Sequence, residues 1–115
     1  MAETTLFITG KGLSALPIVR QIDSADLSKN KIVISDKQTN DRHLTKNVSS
    51  GRVWLDTEIA IVDPELLICC ASNRVGEIWV SSESVAQGYW NREEETEKNF
   101  QAHLKDDGSR SFLRT

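Results

Sequence analysis

The chain has 115 residues, room for one small core and hardly for two. Its 38% apolar and 27% charged residues suit a globular fold, and a net charge of −3 leaves no basic footprint for nucleic acid or anionic lipid. No apolar run approaches the roughly 20 residues that span a bilayer, and no basic start and apolar middle mark a secretory signal, so a cytoplasmic setting is expected.

In chain order, Ala2 and Glu3 precede a β-branched, apolar run over residues 5–9. This predicts a strand that Gly10, Lys11 and Gly12 break, with Glu3 in solvent. Residues 16–22 read as a strand after Pro17, with Ile18 and Ile22 on one face by the period-two rule. Residues 24–27 form a short capped turn, and Ile32, Val33 and Ile34 supply another strand before a polar loop over 36–42. Nothing between Leu13 and Leu44 points to catalysis: there is no histidine pair, nucleophile motif or phosphate-cradling glycine run. His43 and His103 have no partner at a metal-ligand offset and read as surface residues.

Residues 55–63 are the clearest strand, stopped by Asp63 and Pro64. Residues 66–71 read as a further strand, returning through Asn73 to Gly76 in a hairpin-like turn. Adjacent Cys69 and Cys70 have poor geometry for a structural bridge and no zinc spacing, so they read as reduced packing thiols. Gly76 is expected to turn the chain before Ile78, Trp79 and Val80, which favour a half-buried strand. Gly88 repeats the device and delivers Tyr89 and Trp90, expected to pack at the start of the next element. From Asn91 the period changes: Thr96, Phe100 and Leu104 recur every fourth residue, predicting a helix near 92–104 capped by Asn91. Glu93, Glu94 and Glu95 sit where its dipole favours negative charge. Periodicity alone fits a strand, turn and amphipathic helix in any mixed domain.

Residue identity says more. Gly76-Glu77-Ile78-Trp79-Val80, the run from Ser84 to Arg92 ending Gly88-Tyr89-Trp90-Asn91-Arg92, and the run from Glu94 to Phe100 resemble a core motif of the adenylate-forming ligases, closest to their fatty acyl-AMP ligase branch. Phe112-Leu113-Arg114-Thr115 resembles the start of that family's Arg-Thr-Gly-Asp motif, whose last two positions fall beyond Thr115. Ala2 and Glu3 resemble the end of its Tyr-Gly-x-Thr/Ala-Glu motif, whose first positions fall before Met1. The resemblance implies that Ala2 and Glu3 lie beside the nucleotide phosphates and that Glu3 is a magnesium ligand, a role suited to a carboxylate because magnesium is a hard, oxygen-seeking cation. Gly76, Glu77, Gly88, Tyr89, Trp90, Arg114 and Thr115 are its structural-motif positions. The family's usual proline after Gly51-Arg52 is Val53 here, and Asp56 stands where a glycine is common.

The fold class implied is α+β, β-rich and mostly antiparallel: the barrel-like part of a large N-terminal domain. Residues 1–12 would be the edge of the α/β nucleotide-binding sheet, 13–46 an insertion of the acyl-AMP ligase type, and 47–115 the barrel-like subdomain. The 47 residues between Glu3 and Gly51 favour the acyl-AMP branch, which carries its insertion there. The parent reaction implied uses ATP and magnesium to activate a fatty acid as acyl-adenylate, for transfer to an acyl carrier protein in lipid or polyketide synthesis. The glycine-rich phosphate loop, the ribose-binding aspartate and the C-terminal lysine are absent from these 115 residues, so the stretch by itself is expected to be monomeric, inactive and free of bound cofactor. Two alternatives stay open here: a piece of an acyl-CoA ligase or amino-acid adenylation domain, and a non-enzymatic β-rich interaction module.

Overall fold

In chain order, a computed structural model of the protein gives a 3-10 turn (Ala2–Thr4), β1 (Thr9–Gly10), β2 (Val19–Asp23), α1 (Ser24–Leu27), β3 (Ile34–Ser35), β4 (Leu44–Val48), β5 (Arg52–Val53), β6 (Glu58–Val62), β7 (Glu77–Ser81), α2 (Glu93–Phe100) and β8 (Leu113–Arg114). It describes residues 2–5, 7–35, 43–54 and 56–115. The β-rich, antiparallel α+β character expected from sequence holds. Among the described residues, however, the strands form three separate sheets, β1-β5, β3-β2-β4 and β6-β7-β8, and do not close into a barrel.

The core is built around β7. Trp79 is only 1% exposed and clusters with Val62 and Phe112, its ring centroid 6.1 Å from that of Phe112. Cross-strand partners share a face, so Ala60 opposite Trp79 and Val62 opposite Glu77 put this cluster on one side of the sheet. Val80 and its partner Leu113, both buried, lie on the other side. A central strand covered on both faces has no clean alternation, which is why Trp79 and Val80 are buried in succession.

Several predicted elements come out shorter or different. Of the run 5–9, Thr5, Phe7 and Ile8 lie outside any strand. Thr5 N–H closes a turn on Ala2 O at 3.1 Å with Thr5 at φ 50°, and pairing begins only at Thr9. The predicted strand 66–71 is reduced to a bridge between Val62 and Cys69, because Asp63 Oδ1 accepts from the amides of Glu65 and Leu66 at 3.0 Å and winds the chain into a turn first. Cys69 is exposed, so of the two thiols expected to pack only Cys70 is partly covered. The last helix ends at Phe100 instead of 104, since Ala102 and Phe112 exchange backbone hydrogen bonds at 3.1 and 2.8 Å. Leu104 reaches the core from that extended segment. Asn91 does not cap α2: it adopts φ 54°, and Arg92 occupies the cap position without a side-chain bond.

The middle segment builds its own sheet, with β2 paired to β3 and, over five residues, to β4. The short turn predicted at 24–27 is α1, with Asp23 Oδ1 accepting from the amides of Ala25 and Asp26 at 2.8 and 3.2 Å. The polar loop predicted at 36–42 lies outside the described residues. No described helix is long and apolar enough to cross a membrane.

Candidate functional site

Two of the predicted motif groups assemble across long sequence separations. The first joins the N-terminal turn to the loop before α2. Glu3 O accepts from Ala86 N–H at 2.7 Å, and Glu3 Oε1 accepts from the Tyr89 hydroxyl at 2.9 Å. The main-chain amide of Glu3, and next the Tyr89 hydroxyl, hold the Glu3 carboxyl below the usual carboxylate range. Hydrogen bonding to neighbouring Glu3 pushes the Tyr89 phenol up, so it stays a protonated donor.

Gly88 makes that approach possible. It sits at φ 148°, and a Cβ there would fall 2.2 Å from Thr96 Cγ2. The closeness lets Thr96 Oγ1 accept from Tyr89 N–H at 2.9 Å and donate back to Tyr89 O at 3.4 Å. One helical turn on, Phe100 meets the Tyr89 ring edge-to-face, 5.0 Å between centroids at 88°. Thr96 and Ala86 had no place among the site residues expected from sequence. Glu3 and Tyr89 are 86 positions apart, and no periodicity or local motif spans that interval.

The second group lies on the face of β7 that carries Trp79. Arg114 donates to Glu77 through Nε at 2.9 Å and Nη2 at 2.8 Å, a two-pronged pair, and its guanidinium stands 5.4 Å over the Trp79 ring centroid. Arg114 holds the Glu77 carboxyl below its usual range, and Glu77 raises Arg114.

The remaining expected positions stand apart from these groups. Gly76 does not turn on a left-handed angle as expected. Its need is steric, since a Cβ there would lie 2.7 Å from both Cys70 Sγ and Val62 O. Trp90, expected to pack beside the last helix, is 91% exposed. Ala2 and Thr115 are exposed too. His43 and His103 are at the surface, His103 Nδ1 lying 2.8 Å from Arg110 O. The described residues hold no cluster of three or more metal-ligating side chains. A lone carboxylate is still a fitting donor for magnesium, which takes one or two carboxylates and completes its shell with phosphate and water.

The profile of the family described as AMP-binding enzyme matches residues 1–90. The chain belongs to the AMP-binding enzyme family. Among curated members it is 38% identical, over its whole length, to the medium-chain-fatty-acid–acyl-carrier-protein ligase JamA of Moorena producens, covering 19% of that protein. It is 31% identical over 105 residues to a long-chain-fatty-acid–AMP ligase of Mycobacterium marinum, covering 91% of this chain and 16% of that one. A solved fatty acid AMP ligase from Legionella pneumophila superposes on the full chain with a TM-score of 0.87 at 38% identity, over 19% of its own length. A second structure from that organism, a fatty acyl-adenylate ligase holding acyl adenylate and pyrophosphate, gives a TM-score of 0.85 over 99% of the chain at 38% identity. This AMP-binding family member thus spans 16% to 19% of the length of these relatives.

Proposed function

We propose that this chain is part of the N-terminal domain of a fatty acid–AMP ligase, which activates a fatty acid as acyl-adenylate and passes the acyl group to an acyl carrier protein. The observation that carries this reading is full-chain likeness, at 38% identity and a TM-score of 0.87, to a fatty acid AMP ligase. The carrier as acceptor accords with the similarity to JamA. ATP as co-substrate and free thiols at Cys69 and Cys70 suit the cytoplasm.

In the proposed reaction a fatty acid carboxylate oxygen attacks the α-phosphorus of ATP, and the bond to the bridging oxygen of the β-phosphate breaks, giving acyl-AMP and pyrophosphate. Such chemistry asks for placement of two anions in line and for neutralisation of charge more than for covalent help. Magnesium, when bound, would supply part of that neutralisation at the phosphates. Ala2 and Glu3 would lie at the phosphate side, with the Glu3 carboxylate as the metal ligand. A glutamate is anionic at neutral pH, the form a hard cation needs. The Glu77–Arg114 clamp is a scaffold in this reading: it fixes the end of β8 that leads toward the family's ribose-binding aspartate.

Residues 13–46 are proposed as the branch-specific insertion, with residues 1–12 as the sheet edge and 47–115 as the main subdomain. The test is an assay of the full-length protein with ATP and labelled fatty acids, with and without coenzyme A or an acyl carrier protein. Acyl-AMP that moves to the carrier and not to coenzyme A is the expected product. Efficient acyl-CoA formation, or no acyl-adenylate with any fatty acid, overturns the assignment.

A further inference from the structure

We propose that Tyr89 is a positioning residue for Glu3: its hydroxyl fixes the direction in which the Glu3 carboxylate faces the metal–nucleotide complex. The proposal rests on the reading of Glu3 as the magnesium-side carboxylate.

The geometry runs from α2 to that carboxylate without a loose joint. A glutamate has three side-chain torsions and no directional preference of its own, whereas a useful ligand must be held to within a fraction of an ångström. Here the main chain of Glu3 is tied by Ala86 N–H at 2.7 Å, and Oε1 is tied by the Tyr89 hydroxyl at 2.9 Å. Among the described residues Tyr89 is the side chain that donates to this carboxylate, beside the main-chain amide of Glu3 itself. Tyr89 is itself held at three points. Thr96 Oγ1 binds its N–H at 2.9 Å and donates to its carbonyl at 3.4 Å, while Phe100 abuts its ring at 5.0 Å. Thr96 and Phe100 stand four apart on α2, on one face, so a single rigid element sets the hydroxyl's place. Gly88, which admits no side chain beside Thr96, keeps the register tight.

A purely structural tie fits these contacts less well. Tyr89 is exposed, and a hydrogen bond there adds little to stability because water competes for both partners. Its effect falls instead on the direction of the carboxylate, as for partners that orient metal ligands elsewhere.

The experiment uses the full-length protein and four variants: Tyr89→Phe, Glu3→Gln, Thr96→Val and Thr96→Ser. Tyr89→Phe keeps the ring against Phe100 and removes only the hydroxyl. Three quantities are read: melting temperature, affinity of Mn²⁺ for the protein–ATP complex by electron paramagnetic resonance, and the Mg²⁺ concentration that half-saturates acyl-AMP formation. For Tyr89→Phe the melting temperature should stay within about 2 °C of wild type. Mn²⁺ affinity should fall about tenfold, the lower end of what losing an orienting partner costs a metal site, and half-saturating Mg²⁺ should rise in step. The KM for fatty acid should not move. Glu3→Gln should weaken Mn²⁺ further. Thr96→Val should give a smaller loss that Thr96→Ser restores, and this pair decides the matter if Tyr89→Phe does not fold. Weakened Mn²⁺ binding in Glu3→Gln with none in Tyr89→Phe overturns the role of Tyr89 and leaves the reading of Glu3 intact. Unchanged Mn²⁺ binding in Glu3→Gln overturns the reading of Glu3 and this proposal with it. Lower melting temperatures with unchanged Mn²⁺ affinity make the contact a structural tie and overturn the proposal.

Discussion

Trp79 and Gly88 each hold one of the two motif groups together, for opposite reasons. Trp79 fills space: it is 1% exposed, packs on Val62 and Phe112, and lies beneath the Arg114 guanidinium. Trp79→Ala should cost on the order of 3–5 kcal/mol, because the cavity has sheet on one side and the 102–112 segment on another and cannot collapse cheaply. Thermal melting of the full-length variant checks this, and a midpoint within a degree or two of wild type would show that the ring is not core. Gly88 leaves space. With φ at 148° and Thr96 Cγ2 only 2.2 Å from a would-be Cβ, Gly88→Ala must shift either the backbone or α2. Strain of this kind costs on the order of 1–3 kcal/mol. Gly88→Ala should also weaken Mn²⁺ binding through Tyr89 and Glu3, measured by the same resonance titration. Normal binding in a folded Gly88→Ala protein would mean that the Tyr89 loop adapts without its glycine.

Between elements, the Glu77–Arg114 clamp joins β7 to β8 across the Trp79 face, with side chains 18% and 23% exposed, so water screens it only in part. Its pH dependence has a definite sign. Folded Glu77 titrates below its ordinary 4.5, so it contributes stability that is fully present above that value. As pH falls through the folded value the carboxylate takes up its proton, and that stability is lost. Arg114 is shifted upward and stays charged throughout this window. Glu77→Gln should therefore melt below wild type at pH 7, with the gap narrowing as pH drops below about 4. A gap that stays constant from pH 7 to pH 3 would count against the clamp. The elements behind this clamp were largely legible in the sequence. Ile78, Trp79 and Val80 announce a buried strand, and Thr96 with Phe100 announces a helical face. What misled was propensity taken without pairing. The β-branched run 5–9 scores as a strand, yet pairing starts only at Thr9, and 66–71 scores as a strand, yet Asp63 turns it first. Leu104 continues the four-residue period past the helix because it packs on the same core from an extended segment. The candidate site was legible as residue identities, and the Glu3–Tyr89 bond was not, because only the tertiary fold brings residues 86 positions apart together.

At the scale of the whole molecule, residues 13–46 have a place in the proposed ligase. Residues 36–42 lie outside the described residues, and the rest of the segment shows how it is held. Backbone contacts tie this segment to the turn before β7. Ile32 N–H donates to Asn73 O at 2.8 Å, Val75 N–H to Asn30 O at 3.1 Å, and Lys31 bridges Arg74 between them. Val19 and its partner Val48 remain exposed on one face of this small sheet, and Ile34, opposite Ile22, on the other, so its surface keeps apolar side chains available to another part of the protein. We propose that the surface restrains a mobile C-terminal domain and so limits the rotation that would admit coenzyme A. A restraint of a few kcal/mol suffices, since about 5.5 kcal/mol moves a two-state equilibrium from 1:99 to 99:1. The topology offers a clean excision. β1 and β5 pair antiparallel with Gly10 opposite Arg52, so joining Gly12 to Ser49 leaves five residues, Lys11, Gly12, Ser49, Ser50 and Gly51, to close an ordinary hairpin loop. Gly51, at φ 105° and with Gly10 O 2.1 Å from a would-be Cβ, already makes the tight approach that this loop needs. The full-length protein lacking residues 13–48 should still form acyl-AMP from ATP and fatty acid, and its acyl-CoA output should rise at least tenfold over wild type, the change that about 1.4 kcal/mol of lost restraint gives. A folded deletion that adenylates and gains no thioester activity would refute the restraint, and equal thioester output from wild type would refute the branch assignment beneath it.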